Sequence, residues 1–62
     1  MNPLYRVMVS DENEDNTAVV DVPFTPFPGM FMFAPWLDEY QQVDEVYWDQ
    51  SEQRFIVYLK KS

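Results

Sequence analysis

The chain has 62 residues, no cysteine and no histidine, and eleven acidic against four basic residues give a formal net charge of −7. A chain of this length forms one domain, residues 1–62, without disulfides, thiolate zinc sites or the common His- and Cys-based catalytic pairs. The negative charge disfavours direct binding to nucleic acid or to a membrane surface, which both require clustered lysine and arginine. We therefore predict a protein without enzymatic activity and without a cofactor.

The first third of the chain predicts an antiparallel β-hairpin. Residues 4–10 alternate, with Tyr5, Val7 and Val9 on one face. Residues 17–24 alternate in the same way and place their apolar side chains inward. A loop of six residues joins the two predicted strands, which is a common connection length.

This loop opens with the spacing of a calcium-binding EF-hand loop, since Asp11, Asn13 and Asp15 stand at alternate positions. An EF-hand also requires a glycine at position 6 and a bidentate glutamate at position 12. Here those positions hold Asn16 and Val22. The sequence favours a solvated loop between two strands, where Asn and Asp tolerate turn conformations. Calcium binding is the weaker alternative, and no metal ligand is assigned.

The proline-rich segment that follows is excluded from a central strand, because each proline removes a backbone donor. Pro28-Gly29 predicts a turn into a short third strand at residues 30–33. Phe24 and Phe27 are expected to cover one end of the core. Residues 34–42 are compatible with one or two helical turns or with an irregular connection.

A second hairpin is predicted from residues 43–49 and 54–60 around a turn at 50–53. Side chains expected in its core are Val46, Trp48, Phe55, Val57 and Leu59. The opposite face would carry Glu45, Tyr47 and Asp49. The predicted fold class is mainly β: a small curled antiparallel sheet or partly open barrel of four or five strands. One short helix near residues 35–42 is an option, with an α+β fold as the alternative.

The distribution of charge is the strongest functional signal. All eleven carboxylates lie between Val7 and Gln53, where the sequence has no lysine or arginine. Such self-repulsion destabilises a compact domain, so it indicates an anionic surface presented to a basic protein partner. Solubility and a host with an acidic proteome are the alternative explanations. The acidic residues expected to contact the partner are Asp11, Glu12, Glu14, Asp15, Asp38, Glu39, Asp44, Glu45 and Asp49.

Aromatic side chains are the second signal, because five Phe, four Tyr and two Trp exceed what so small a domain is expected to bury. Tyr40 and Tyr47 are expected to anchor the partner, since desolvated aromatic residues supply most of the affinity of an interface. The alternative function is a small structural or regulatory interaction domain, as a monomer or an oligomer, and the resemblance described next implies that it would belong to a phage or mobile element. Such a domain would bind through Trp36, Tyr40 and Phe33.

The pattern VVDVPFTPFPGMFMF, followed by VDEVYWD and RFIVYLK, resembles short phage and mobile-element proteins over about residues 17–60. The small size, the lack of cysteine and the concentrated negative charge are similar to phage-encoded anti-CRISPR proteins that inhibit type I systems by mimicking DNA. This resemblance implies a monomer or small homo-oligomer in the cytoplasm of the bacterial host. It would bind a basic DNA-recognition surface of a Cas surveillance complex and block target DNA. The resemblance transfers no residue by motif, so the candidate residues rest on the charge argument.

Overall fold

The computed structural model describes residues 3–60, which form one curled sheet of five strands with the shape of a half-barrel. The strands are β1 (Tyr5–Ser10), β2 (Thr17–Val22), β3 (Phe31–Ala34), β4 (Glu39–Asp49) and β5 (Arg54–Leu59). Their order across the sheet is β2-β1-β5-β4-β3. The predicted mainly β fold with a small curled sheet is confirmed.

Both predicted hairpins are present. Strands β1 and β2 pair antiparallel from Tyr5↔Val22 to Ser10↔Thr17 around the six-residue loop 11–16. Strands β4 and β5 pair antiparallel around the turn at residues 50–53. The short strand β3 joins the second hairpin by pairing with the first residues of β4.

The two hairpins are joined by a parallel pairing of β1 with β5, in which Val9 lies opposite Val57. The sheet is therefore mixed, and the prediction of a wholly antiparallel sheet is wrong for this one pair. Val7, Val9 and Val57 in this pair are buried core residues, and the alternation of apolar residues that predicts them is the same for either strand direction. The direction is set by how the chain crosses between the hairpins, which strand periodicity does not encode.

Residues 35–42 contain no helix, and the α+β alternative is wrong. The amides of Leu37 and Asp38 both donate to the carbonyl of Ala34, at 3.0 and 2.9 Å, which closes a turn. Asp38 then adopts a left-handed conformation with φ of 54°, and β4 begins at Glu39. Pairing with β3 overrides the moderate helix preference of this segment. No helix among residues 3–60 is long and apolar enough to cross a membrane.

Strand β4 contains a β-bulge that bends the sheet. Val43 lies opposite Leu59 and Glu45 lies opposite Tyr58, so Asp44 is the extra residue. A bulge interrupts the alternation of faces and increases the local twist. As a result Asp44 and Glu45 are adjacent in sequence and both exposed, while Val43 and Val46 both point to the core.

The connection between β2 and β3 spans the open side of the half-barrel, because these two strands are the edges of the sheet. The predicted turn at Pro28-Gly29 is confirmed: the Met30 amide lies 3.4 Å from the Phe27 carbonyl, and Gly29 has φ of +96°. Proline before a residue with positive φ is the signature of a type II turn, and glycine adopts that φ without steric cost.

The core lies on the concave face of the sheet. Its buried apolar side chains are Val7, Val9, Met32, Ala34, Val43, Val57 and Leu59. The predicted core positions Val46 and Phe55 pack against this cluster. The prediction that Trp48 faces the core is wrong, since this side chain lies near the end of the sheet and is 54% exposed. Its ring packs edge to face against Phe55, with ring centroids 4.9 Å apart. Phe24 and Phe27 are also exposed, so the prediction that they cover the core is wrong.

The substitution Val57→Ala should destabilise the protein by roughly 2–3 kcal/mol, since it removes buried methyl groups and leaves a cavity. Val57 is fully buried in the central strand and lies opposite both Val9 and Val46. Urea unfolding followed by tryptophan fluorescence measures the loss. The control is Val19→Ala on the exposed face of β2, for which we expect a change within about 0.5 kcal/mol. Equal losses in both variants would contradict the assigned core.

Candidate functional site

The acidic loop 11–16 is organised by the side chain of Asp11. One of its carboxylate oxygens accepts a hydrogen bond from the Asp15 amide at 2.8 Å, and the other accepts one from the Asn16 side chain at 2.9 Å. The Asp11 amide donates to the Asn16 carbonyl, and the Glu14 amide to the Asp11 carbonyl. The bond from Asn16 is the main cause that lowers the pKa of Asp11. Asp11 therefore holds the loop, while Glu12, Glu14 and Asp15 remain exposed.

The acidic loop lies next to a second acidic cluster, the bulge of β4, which is distant from it in sequence. Ser10 at the end of β1 pairs with Tyr58, and Tyr58 lies opposite Glu45 on the bulge of β4. The loop that follows Ser10 is thereby placed next to the bulge. Between them lies an open depression of about 510 Å³, which we call the tyrosine depression. Its lining residues are Glu12, Glu14, Asp44, Glu45, Tyr47, Ile56, Tyr58 and Leu59.

The two tyrosines of this depression orient two of its carboxylates. The Tyr58 hydroxyl donates to Glu14 at 2.9 Å, and the Tyr47 hydroxyl donates to Glu45. The rings pack edge to face, with centroids 5.9 Å apart. Donation to a carboxylate stabilises the neutral phenol. The hydrogen bond to Glu14 therefore raises the pKa of Tyr58. The pKa of Tyr47 is raised by its hydrogen bond to Glu45 and by the charge of that residue.

A second depression, of about 290 Å³, joins the other side of the loop to the turn between β3 and β4. Asp11 and Glu12 line it from the loop, and Trp36 and Leu37 from the turn. The turn also carries the exposed Asp38 and precedes Glu39. The basic residue Lys60 also lines this depression, beside Asp11 and Glu12.

Eight of the nine predicted acidic contact residues thus belong to the loop, the turn and the bulge at one end of the half-barrel. We call this surface the acidic end; it consists of Asp11, Glu12, Glu14, Asp15, Asp38, Glu39, Asp44 and Glu45. Neither of the two ion pairs found among residues 3–60 involves any of these carboxylates. Residues 3–60 also contain no group of three or more ligating side chains arranged to hold a metal ion.

Asp49, the ninth predicted residue, lies at the opposite end of the sheet. It is paired with Arg54 at the start of β5, whereas the acidic end adjoins Leu59, about 17 Å along the strand. The Arg54 Nε lies 3.6 Å from Asp49, and Arg6 lies 3.9 Å from Asp21 on the same side. Asp49 also accepts a hydrogen bond from Ser51, which is the main cause that lowers its pKa. The structure therefore gives Asp49 a role in the β4–β5 turn.

The two predicted tyrosine anchors are on different surfaces. Tyr47 is part of the tyrosine depression, whereas Tyr40 packs edge-on against Phe33, with centroids 5.5 Å apart, next to an apolar groove between β2 and β3. Sequence reasoning missed Tyr58, although a signal for it exists. Tyr58 alternates with the buried Val57 and Leu59, so it must lie on the outer face together with Ile56.

The fold and the site define a small half-barrel protein with a one-sided anionic surface. Comparison with protein-family models, with curated proteins and with solved structures found no match. The functional argument therefore depends on the geometry of the acidic end.

Alkaline titration should separate Tyr47 and Tyr58 from an ordinary phenol, whose pKa is near 10. Their raised pKa values mean that the two hydrogen bonds stabilise the fold fully below about pH 10 and that this stabilisation is lost as the pH rises through the raised values. Ultraviolet absorbance of phenolate would follow the titration. The double variant Tyr47→Phe/Tyr58→Phe should lose the part of the absorbance change that occurs above the pH range of an ordinary phenol. Retention of that part would contradict the assignment.

The substitution Asp11→Ala should loosen the loop, because it removes the acceptors of the Asp15 amide and of the Asn16 side chain. We expect faster hydrogen exchange at the Asp15 amide above about pH 5, where Asp11 is ionised in both folded and unfolded chains. Because the folded-state pKa is lowered, the contribution of Asp11 to stability should fade as the pH falls through that value. The control Glu12→Ala lies in the same loop, and unchanged exchange in Asp11→Ala would contradict the role of Asp11.

Proposed function

We propose that the protein is a non-enzymatic inhibitor that binds, through its acidic end, a basic surface with which another protein binds DNA. Target DNA would be excluded because both ligands require the same lysine and arginine side chains. The resemblance to anti-CRISPR proteins makes a type I Cas surveillance complex the proposed partner. In this proposal the protein acts in the cytoplasm of the bacterial host.

The observation that carries the proposal is the convergence of eight carboxylates from three separate segments on one end of the molecule. Folding has gathered like charges there, while both arginines are paired at the other end. Charges that repel one another reduce stability. Selection for solubility alone would be met by a dispersed distribution, so a clustered one supports a requirement for a basic ligand.

The hydrogen bonds that fix the carboxylates of the acidic end also support this role. The tyrosine hydroxyls hold Glu14 and Glu45, and the hydrogen bonds of Asp11 hold the loop. Groups fixed before binding lose less conformational entropy when the complex forms. The rings of Tyr47 and Tyr58 add flat aromatic surface between the carboxylates, and guanidinium groups stack favourably on such rings.

A charge-matched pair of variants tests the proposal. The first variant replaces Glu12, Glu14 and Glu45 with Gln, which removes three charges around the tyrosine depression but keeps the acceptors for the tyrosine hydroxyls. The control removes three charges outside the acidic end, by Asp21→Asn, Asp49→Asn and Glu52→Gln. The net charge of the two variants is equal, so a difference in their affinity for the partner reports the position of the removed charges.

The measurement is competition between the protein and fluorescent target DNA for a purified type I surveillance complex. We expect the wild type and the control to displace DNA and the first variant to lose at least about tenfold in affinity, since its contacts are charge-assisted. Binding by the wild type should weaken steeply as salt rises above about 0.1 M. Displacement that is equal in both variants, or unaffected by salt, would contradict the proposal, as would a wild type that leaves DNA bound.

A further inference from the structure

The β2–β3 groove is an apolar surface that the acidic end does not use. It has a volume of about 440 Å³ and is open along the side where the half-barrel does not close. Its walls come from the inner face of β2, from β3 and from the connection between them. The lining residues that matter below are Val20, Val22, Phe24, Phe31, Phe33 and Tyr40.

This side of the molecule is uncharged, in contrast with the rest of the chain. Residues 22–37 contain no acidic or basic side chain, although the net charge of the protein is −7. Strand β3 is an edge strand within this stretch. Edge strands that remain exposed are usually protected by charged residues. Strand β3 has no such charge, so its edge is available for contact with a partner.

We infer that a second copy of this chain covers the groove. Like-charged molecules can associate only where they do not bring their charges together, and the β2–β3 groove is such a surface on this protein. The groove also complements itself in a twofold arrangement. Phe31 and Tyr40 project at its rim, 62% and 66% exposed, and each copy offers both the projecting rings and the apolar groove that receives them.

The available area fits a dimer of modest affinity. The four aromatic residues at the groove, Phe24, Phe31, Phe33 and Tyr40, are 40–66% exposed. At 150–250 Å² per aromatic side chain, they offer about 400 Å² per copy. Two copies would bury about 800 Å² with these rings, which is below the roughly 1,000 Å² of a stable specific interface and fits a weak, concentration-dependent dimer.

Sedimentation equilibrium between about 10 μM and 1 mM protein tests the inference at about 0.1 M and 1 M NaCl. We expect the mass to rise from one chain to two with concentration, and the dimer to form more readily at high salt because screening reduces the repulsion between the copies. The proposed inhibition has the opposite salt dependence, so the two proposals can fail separately. A single-chain mass at every concentration and salt, or a dimer weakened by salt, would overturn the inference.

Two acidic substitutions locate the interface. Phe31→Glu should raise the dissociation constant of the dimer about 100-fold or more, since it removes one aromatic anchor from each copy and places two like charges in contact. The control Val19→Glu adds the same charge at another exposed apolar position, outside the groove, and should leave the constant within about threefold. Circular dichroism would verify folding, and Tyr40→Ser provides a second groove variant. Equal effects of Phe31→Glu and Val19→Glu would contradict this interface.

Discussion

The parallel pairing of β1 with β5 is the interaction on which the rest of the structure depends. It joins two hairpins that would otherwise be separate and makes β5 the centre of the sheet. Because the strands run in the same direction, the loop after Ser10 and the end of β5 lie at the same end of the half-barrel. The bulge of β4 is opposite that end of β5. The acidic end exists because this one pairing places the loop after β1 beside the turn before β4 and the bulge within β4.

Gathering the carboxylates has an energetic consequence for so small a domain. A chain of 62 residues has a total stability of only roughly 3–9 kcal/mol. Repulsion among neighbouring carboxylates within a Debye length, about 8 Å at physiological ionic strength, is weakly screened. The hydrogen bonds from Tyr47 and Tyr58, and those that Asp11 accepts within its loop, offset part of it. The same groups therefore serve both the stability of the fold and the shape of the acidic surface.

The local structure was largely predictable from the sequence, whereas the arrangement of its parts was not. Alternating apolar residues correctly indicated both hairpins, and the proline-glycine pair indicated the turn at Gly29. The bulge was accessible in principle, because Val43 and Val46 can both face the core only if an extra residue lies between them. The parallel pairing and the position of Asp49 depend on contacts between distant segments. Local periodicity carries no information about those.

The central position of β5 also bears on how the protein is made. Strand β5 is the last of the five to leave the ribosome, yet it separates β1 from β4 in the finished sheet. During translation, the β1–β2 hairpin and the β3–β4 pair are synthesised before β5, so each is at first a separate two-stranded unit. An isolated two-stranded hairpin is at best marginally stable in water. The sheet, and with it the acidic end, should therefore assemble only after β5 has been synthesised.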